Sequence, residues 1–96
     1  MYIHMFAFRW KPGVTNEQKS RALSEIRALQ GRIPGLLETH VGFNISPRGQ
    51  SYELGGVMKF ADKKSLDEYG PHPVHQKLIA WLMALIEPIE VDFEAP

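Results

Sequence analysis

Residues 2–10 form a β-strand pattern whose two faces are both largely apolar. One face carries the side chains of Tyr2, His4, Phe6, Phe8 and Trp10. The other face carries those of Ile3, Met5, Ala7 and Arg9. A strand with two apolar faces has to be covered on both sides. The chain therefore needs a sheet that is packed on both faces.

A helix is predicted directly after this strand. Thr15 and Gln18 have the spacing of a capping box, in which each side chain bonds the backbone N–H of the other residue. The helix runs to about Gln30, and Gly31 is well placed to end it in a left-handed conformation. Alternating residues then predict a second strand over 37–44 and a third over 52–60, with a loop at 46–50 between them.

The last third of the chain predicts two helices and a fourth strand. Asp62 caps a short helix that ends near Tyr69. A longer helix begins at Pro73 and is stopped by Pro88, and the strand follows over 89–93. The order is β, α, β, β, α, α, β within a single domain, 1–96. This order predicts an α+β fold of ferredoxin-like type, with a four-stranded antiparallel sheet and helices on one face.

Helices on one face would leave the other face of the sheet bare. Ile3, Met5 and Ala7 of the first strand would then be exposed, together with Val57 of the third strand. Exposed apolar patches of this size mark interaction surfaces. We therefore expect a homodimer that packs sheet against sheet.

The composition narrows the range of partners. The chain has 11 basic residues (Lys and Arg) and 11 acidic residues (Asp and Glu). This balance gives no indication of binding to nucleic acid or to an anionic membrane. There is no cysteine, which excludes a disulfide, a thiolate nucleophile and a thiolate metal site. No apolar run approaches the roughly 20 residues of a membrane span, and no export signal is evident. These features favour a cytoplasmic protein.

The segment from Tyr69 to His75 concentrates the residues that could carry chemistry. Pro73 suits the first helical position, which makes His72 the cap and places His75 in the first turn. His75 lies on the same predicted face as Leu78, Ile79, Leu82, Leu85 and Ile86. Burial and the helix dipole both favour the neutral imidazole, which is the form a general base requires. Tyr69 could orient this ring or donate to a developing enolate; alternatively, both are core residues that satisfy each other.

The other histidines have weaker signals. His4 lies on the aromatic face of the first strand and would meet His75 if the helices cover that face; otherwise it is a satisfied strand residue. His72 is interpreted as structural, and His40 as exposed or at the dimer edge. His72 and His75 straddle a helix start and lack the i, i+4 spacing of a helical metal pair, so no transition-metal site is predicted.

Two loops leave smaller questions open. A loosely held hard cation on backbone carbonyls near Ile33 to Leu37 remains an open alternative. Arg48 and Gln50 could close over a pocket mouth, or form a solvated turn.

Several short motifs together resemble one known family, the stress-responsive A/B barrel (Dabb) domains, whose members are dimeric α+β barrels. The motifs are His4 with Phe8, Lys11-Pro12-Gly13-Val14, Ile33-Pro34-Gly35, Gly42, Ser46-Pro47-Arg48-Gly49, Tyr69, His72-Pro73-Val74-His75 and Val91-Asp92-Phe93. The chain is more distantly similar to a plant member, olivetolic acid cyclase, which closes a linear polyketide without a cofactor. That resemblance implies catalytic roles for His75, Tyr69 and His4.

The same resemblance implies a pocket between the sheet and the helices. By location, its walls would be Phe8, Leu23, Ile26 and Trp81. Leu54 is also placed among the substrate-binding residues, because it stands where the plant enzyme has a further pocket histidine; this chain departs from that enzyme there.

Three functions follow from these features. The leading hypothesis is a small dimeric protein that binds a compact hydrophobic, phenolic or polyketide-like ligand and performs cofactor-free acid/base chemistry of the cyclase or isomerase type. The first alternative is a non-enzymatic stress-responsive protein whose role is the oligomer itself. The second is a cofactor-free monooxygenase of the dimeric barrel type.

Overall fold

The computed structural model describes all residues from Met1 to Pro96. Its elements are β1 (Tyr2–Trp10), α1 (Asn16–Arg27), β2 (Leu36–Phe43), β3 (Leu54–Phe60), α2 (Lys63–Tyr69), α3 (Pro73–Leu82), a 3-10 turn (Met83–Leu85) and β4 (Ile86–Glu94). The strands form one sheet in the order β2-β3-β1-β4, and every neighbouring pair is antiparallel. This architecture confirms the predicted ferredoxin-like α+β fold. None of its helices has the length and apolar character needed to cross a membrane.

The start of α1 is the predicted capping box, but its end differs from the prediction. The Thr15 hydroxyl accepts a hydrogen bond from the Gln18 backbone N–H at 3.1 Å, and the Gln18 side chain accepts from the Thr15 N–H at 2.9 Å. The regular helix ends at Arg27 rather than near Gln30, because the N–H groups of Leu29 and Gln30 bond carbonyls only three residues back. Gly31 is left-handed as predicted, with φ +87°.

The junction between α3 and β4 corrects the sequence prediction. Pro88 does not stop a helix: α3 ends at Leu82, and Pro88 lies inside β4, opposite Phe8. β4 is an edge strand, where a residue without an N–H can be accommodated. Ile86, predicted on the helical face, is instead buried at the first position of this strand.

The loop between β2 and β3 is longer than the pattern indicated. β3 begins at Leu54 rather than at residue 52, and β2 covers Leu36–Phe43 rather than 37–44. Gln50 and Ser51 both have positive φ, and the Tyr52 N–H bonds the Gly49 carbonyl, so this stretch is a turn. The turn lies outside the two cavities described below.

The two faces of the sheet have different surroundings. The inner face packs against the helices through a core that includes Phe6, Phe8, Ala22, Ile26, Leu29, Leu54, Met58, Phe60, Leu78 and Leu82. The outer face has no covering layer in the monomer. Met5, Ile89, Val91 and Phe93 are all at least 40% exposed there. This is the bare apolar face that the sequence predicts. Of the residues predicted to be exposed, Met5 is exposed, Ala7 and Val57 are half-buried, and Ile3 is buried between its neighbours Lys59 and Phe93.

Candidate functional site

A cavity of about 220 Å³ lies between the inner face of the sheet and α3. Its walls are mainly apolar, and they are formed by Phe6, Phe8, Ile26, Leu78, Ile79, Leu82, Met83, Ile86 and Pro88, with His4, Tyr69, His75 and Glu90 as the polar residues. We call this space the inner cavity. A small number of polar groups in an otherwise apolar pocket is typical of small-molecule sites.

A second, more open space of about 440 Å³ adjoins the first. It is lined by Tyr2, Lys63, Leu66, Asp67, Gly70, Asp92, Phe93 and Glu94 in addition to the four residues that it shares with the inner cavity, which are His4, Tyr69, His75 and Glu90. We call it the vestibule. The four shared residues therefore stand where an apolar chamber meets a polar, solvent-facing basin.

The tautomer of His75 is set by its backbone partner. Its Nδ1 lies 2.9 Å from the carbonyl oxygen of Gly70, which can only accept, so Nδ1–H donates. The Gln76 side-chain amide donates to the same oxygen at 2.7 Å. In the neutral ring Nε2 therefore keeps its lone pair. His75 is half-buried rather than enclosed in the core, and it lines both cavities.

Tyr69 lies against His75, with a distance of 4.2 Å between the ring centroids. Tyr69 is the last residue of α2, and it is only 8% exposed. Burial, and secondarily the negative charge of Glu90, raise the pKa of the Tyr69 phenol. No side chain or backbone group of the chain hydrogen-bonds its hydroxyl. Tyr69 is therefore a protonated donor, free to bond a ligand.

His4 approaches the same place from the sheet. Its ring centroid is 5.7 Å from that of Tyr69, and its Nδ1 lies 2.5 Å from the Asp92 carboxylate. The antiparallel register of β1 and β4 pairs the two residues directly. An ionised carboxylate only accepts, so Nδ1–H donates to Asp92 and Nε2 is left for another partner. His4, Tyr69 and His75, which the sequence nominated as catalytic, are thus brought together.

The residues nominated as pocket walls divide into two groups. Phe8 and Ile26 line the inner cavity, and Leu23, Leu54 and Trp81 do not. Trp81 faces α1 instead, where the Arg21 guanidinium stacks on its ring at 3.9 Å. Leu54 is fully buried in β3 opposite Phe8, and Leu23 packs at the edge of the core.

The remaining histidines lie away from the cavities. His72 caps α3, and its Nδ1 accepts the Val74 N–H at 3.1 Å. His40 is exposed on the outer face, 3.7 Å from a Glu38 oxygen. No three histidine or acidic side chains come together in a way that could hold a metal ion.

Two site residues, Asp92 and Glu90, were not found from the sequence. Both project from the inner face of β4, opposite His4 and Phe6 of β1. The alternation of β4 was visible, with Glu90 and Asp92 between Ile89, Val91 and Phe93. That alternation was a usable signal, because acidic residues on the face that turns towards helices need a reason. Their partners could not be found without the strand register.

The comparisons with known proteins agree with the observed fold. Residues 3–95 match the family model of the stress-responsive A/B barrel domain, Dabb. The chain belongs to this family. A comparison with functionally curated proteins found no match.

Solved structures of this Dabb protein's fold include enzymes and dimers. A protein from Arabidopsis thaliana is similar with a TM-score of 0.88 and 20% identity, over 100% of this chain and 96% of the other. A dimeric ferredoxin-like protein from Thermobifida fusca is similar with a TM-score of 0.86 and 22% identity, over 98% and 90%. The hydroxynitrile lyase of Passiflora edulis is similar with a TM-score of 0.86 and 14% identity, over 99% and 93%. At these identities the likeness shows the fold alone.

Proposed function

We propose that this Dabb protein binds a compact, mostly apolar molecule with a phenol or carbonyl group in the inner cavity and transfers a proton on it without a cofactor. His75 is the general base, Tyr69 is the hydrogen-bond donor, and His4 polarises a carbonyl. The observation that carries the proposal is the pairing of two free functional groups at one cavity. These are the Nε2 lone pair of His75, left by the bond to Gly70, and the unpartnered hydroxyl of Tyr69.

The position of His75 suits a general base. It lies in the first turn of α3 and lines both the inner cavity and the vestibule. The bond from Nδ1–H to Gly70 holds the ring in one orientation, so that Nε2 does not have to be selected from two tautomers at each turnover. A base held in this way needs no separate orienting carboxylate.

The proposed step is removal of a proton from the carbon next to a carbonyl. The C–H bond breaks, the proton moves to Nε2 of His75, and the electron pair moves onto the carbonyl oxygen as an enolate. The Tyr69 O–H donates to that oxygen, where charge develops in the transition state. His4 donates from Nε2 when its ring is protonated, and the Asp92 carboxylate compensates the resulting charge.

The size of the inner cavity supports a compact ligand. At about 220 Å³ it is smaller than the roughly 300–1,000 Å³ of drug-sized ligand sites. Its apolar walls suit one aromatic ring or a short chain, and its polar residues stand together at one end, beside the vestibule. The fold is one on which an enzyme is built in the hydroxynitrile lyase neighbour.

Hydrogen exchange on a simple ketone tests the proposed step without knowledge of the full reaction. Raspberry ketone is a suitable probe because it is a phenol that carries a methyl ketone. We expect the wild-type protein to accelerate incorporation of deuterium next to the carbonyl, measured by NMR in D₂O. His75→Gln should reduce the catalysed rate by about 10²-fold or more, which is typical for loss of an acid–base group.

The matched control is His72→Asn, which removes an imidazole three residues away that lines neither cavity. Asparagine is a good N-cap, so α3 should keep its start. Equal exchange rates for wild type and His75→Gln would contradict the proposal. If His75→Gln instead unfolds the protein while no ketone or phenol raises the melting temperature of the wild type, the non-enzymatic structural role replaces the enzymatic one.

We also propose that the chain forms a homodimer through the outer face of the sheet. The support is the row of exposed apolar side chains on β1 and β4, such as Met5 and Val91, together with the dimeric state of a similar structure. Burial of apolar area is the main driving force for association of this kind.

A further inference from the structure

The charges around the vestibule do not balance. Lys63 and Asp67 form an ion pair at 2.7 Å and cancel each other. Asp92 hydrogen-bonds His4. A neutral His4 ring leaves the negative charge of this carboxylate uncompensated. Glu90 and Glu94 also line this space and form no ion pair. With His4 neutral or protonated, Glu90 and Glu94 leave the vestibule with an excess of negative charge that no lysine or arginine offsets.

Glu90 is the carboxylate that borders both spaces of the site. It lies on the inner face of β4, opposite Phe6, and it is the only acidic residue that lines both the inner cavity and the vestibule. No group of the chain hydrogen-bonds it or pairs with it. Its charge reaches the Tyr69 hydroxyl, because it contributes to the raised pKa of that phenol. The Glu90 carboxylate therefore stands where the vestibule meets the inner cavity.

We infer that Glu90, supported by Asp92 and Glu94, makes this site select against anions, so that its ligand is an uncharged or cationic phenol or carbonyl compound. This inference rests on the proposed function, in that the inner cavity is the ligand site. Carboxylic acids, phosphate esters and thioesters of coenzyme A are then poor ligands, because each brings a negative charge towards an uncompensated one. Like charges brought together at an interface suppress the wrong partner.

The inference identifies Glu90 as a specificity-determining residue rather than a catalytic one. An apolar residue at this position would strengthen the binding of any ligand with an apolar body, whether that ligand is neutral or charged. A carboxylate instead weakens the retention of anions and leaves neutral ligands nearly unaffected. The effect has to weaken as salt increases, because the vestibule is open to solvent.

The electrostatic part of the inference can be tested without any ligand. Small nitroxide radicals of the PROXYL series, one cationic and one anionic, broaden NMR signals in proportion to their local concentration. We expect the cationic radical to broaden the ring protons of His75 and His4 at least about threefold more than the anionic one at low salt. Glu90→Gln should lower the ratio of cationic to anionic broadening by about half.

Glu87→Gln is the matched control for this experiment. Glu87 lies on the same strand, opposite Arg9 on the outer face, and lines neither cavity, so the variant makes the same change in net charge elsewhere. The ratio at His75 should stay at its wild-type value in this variant. Equal broadening by the two radicals in the wild type, or an equal response to both variants, would overturn the inference.

The ligand part uses three small phenols of different charge: hydroxybenzyl alcohol is neutral, tyramine is cationic and hydroxybenzoate is anionic. We expect the alcohol and the amine to bind at least about tenfold more tightly than the carboxylate, and Glu90→Gln to narrow that gap severalfold. Preferred binding of hydroxybenzoate would refute the inference but leave the proposed function standing. Stronger broadening by the cationic than by the anionic radical, without exchange of raspberry ketone, would support the inference but refute the proposed proton transfer.

Discussion

At the scale of single residues, the partner of Nδ1 determines what each histidine can do. In His75 this atom donates to the Gly70 carbonyl, which leaves Nε2 as an acceptor for a ligand proton. In His72 it accepts from the Val74 N–H, so the proton is on Nε2 and the ring serves as a helix cap. In His4 it faces the Asp92 carboxylate. Residues of one type therefore take different roles because their backbone and side-chain neighbours differ.

The pKa of Tyr69 leads to a prediction about alkaline stability. An unfolded tyrosine loses its proton near pH 10, whereas burial raises the pKa of Tyr69 in the native protein. Above pH 10 the unfolded chain therefore binds fewer protons than the native one, and the free energy of unfolding falls as pH rises. Urea unfolding should show a steeper alkaline loss for wild type than for Tyr69→Phe. Parallel pH profiles for the two proteins would contradict this assignment.

At the scale of elements, local signals predicted starts and turns, whereas pairing decided the rest. The Thr15 capping box, the left-handed Gly31 and the His72 cap depend on neighbours in sequence, and all three are found as predicted. The segment around Pro88 fits the end of a helix equally well by local pattern. Pairing with β1 makes it a strand, and that contact is 80 residues away in the chain.

The same distinction between local signals and strand pairing applies to the site. His75 and Tyr69 are close in sequence, so their meeting follows from the short connection between α2 and α3. The bond between His4 and Asp92 joins residues 88 positions apart, and it depends on a register that no local pattern specifies. Leu23 and Trp81 lie outside the cavity for a related reason, because a helix rotation of one position changes which side chains face the sheet.

A glycine in β3 controls the shape of the inner cavity. The Phe6 ring lies against Gly56 in the neighbouring strand, where any Cβ would collide with it. Gly56→Ala should therefore displace the Phe6 ring, destabilise the protein by about 1–3 kcal/mol and weaken binding of neutral phenols. Urea unfolding and a phenol titration monitored by NMR would measure both effects.

Gly55→Ala is the control for that change. Its methyl group would make only an ordinary contact, at 3.9 Å from the Phe6 carbonyl oxygen on the neighbouring strand. Stability and phenol binding should stay close to wild type. Similar losses in both variants would mean that the strand, rather than the Phe6 ring, responds to the added methyl group.

At the scale of the whole molecule, the sheet separates two roles. Its inner face, with the helices, builds the cavity and carries His4, Glu90 and Asp92. Its outer face is apolar and uncovered, although β1 supplies residues to both. Alternation along the strand keeps the two faces independent, because neighbouring residues point in opposite directions. A substitution on the outer face can therefore alter assembly while the cavity residues stay in place.

This separation allows a direct test of the proposed dimer. Val91 is 52% exposed on the outer face of the edge strand β4, opposite Met5, and Met5 in turn lies opposite Val57 on β3. Val91→Lys would bury an unpaired ammonium in a sheet-to-sheet interface, which is far more costly than leaving it in water. Sedimentation should show a dimer for wild type and a monomer for the variant. Ala80→Lys, on the exposed side of α3, should remain dimeric. A wild-type monomer at high concentration would refute the dimer, and a dimer unchanged by Val91→Lys would place its interface elsewhere on the molecule.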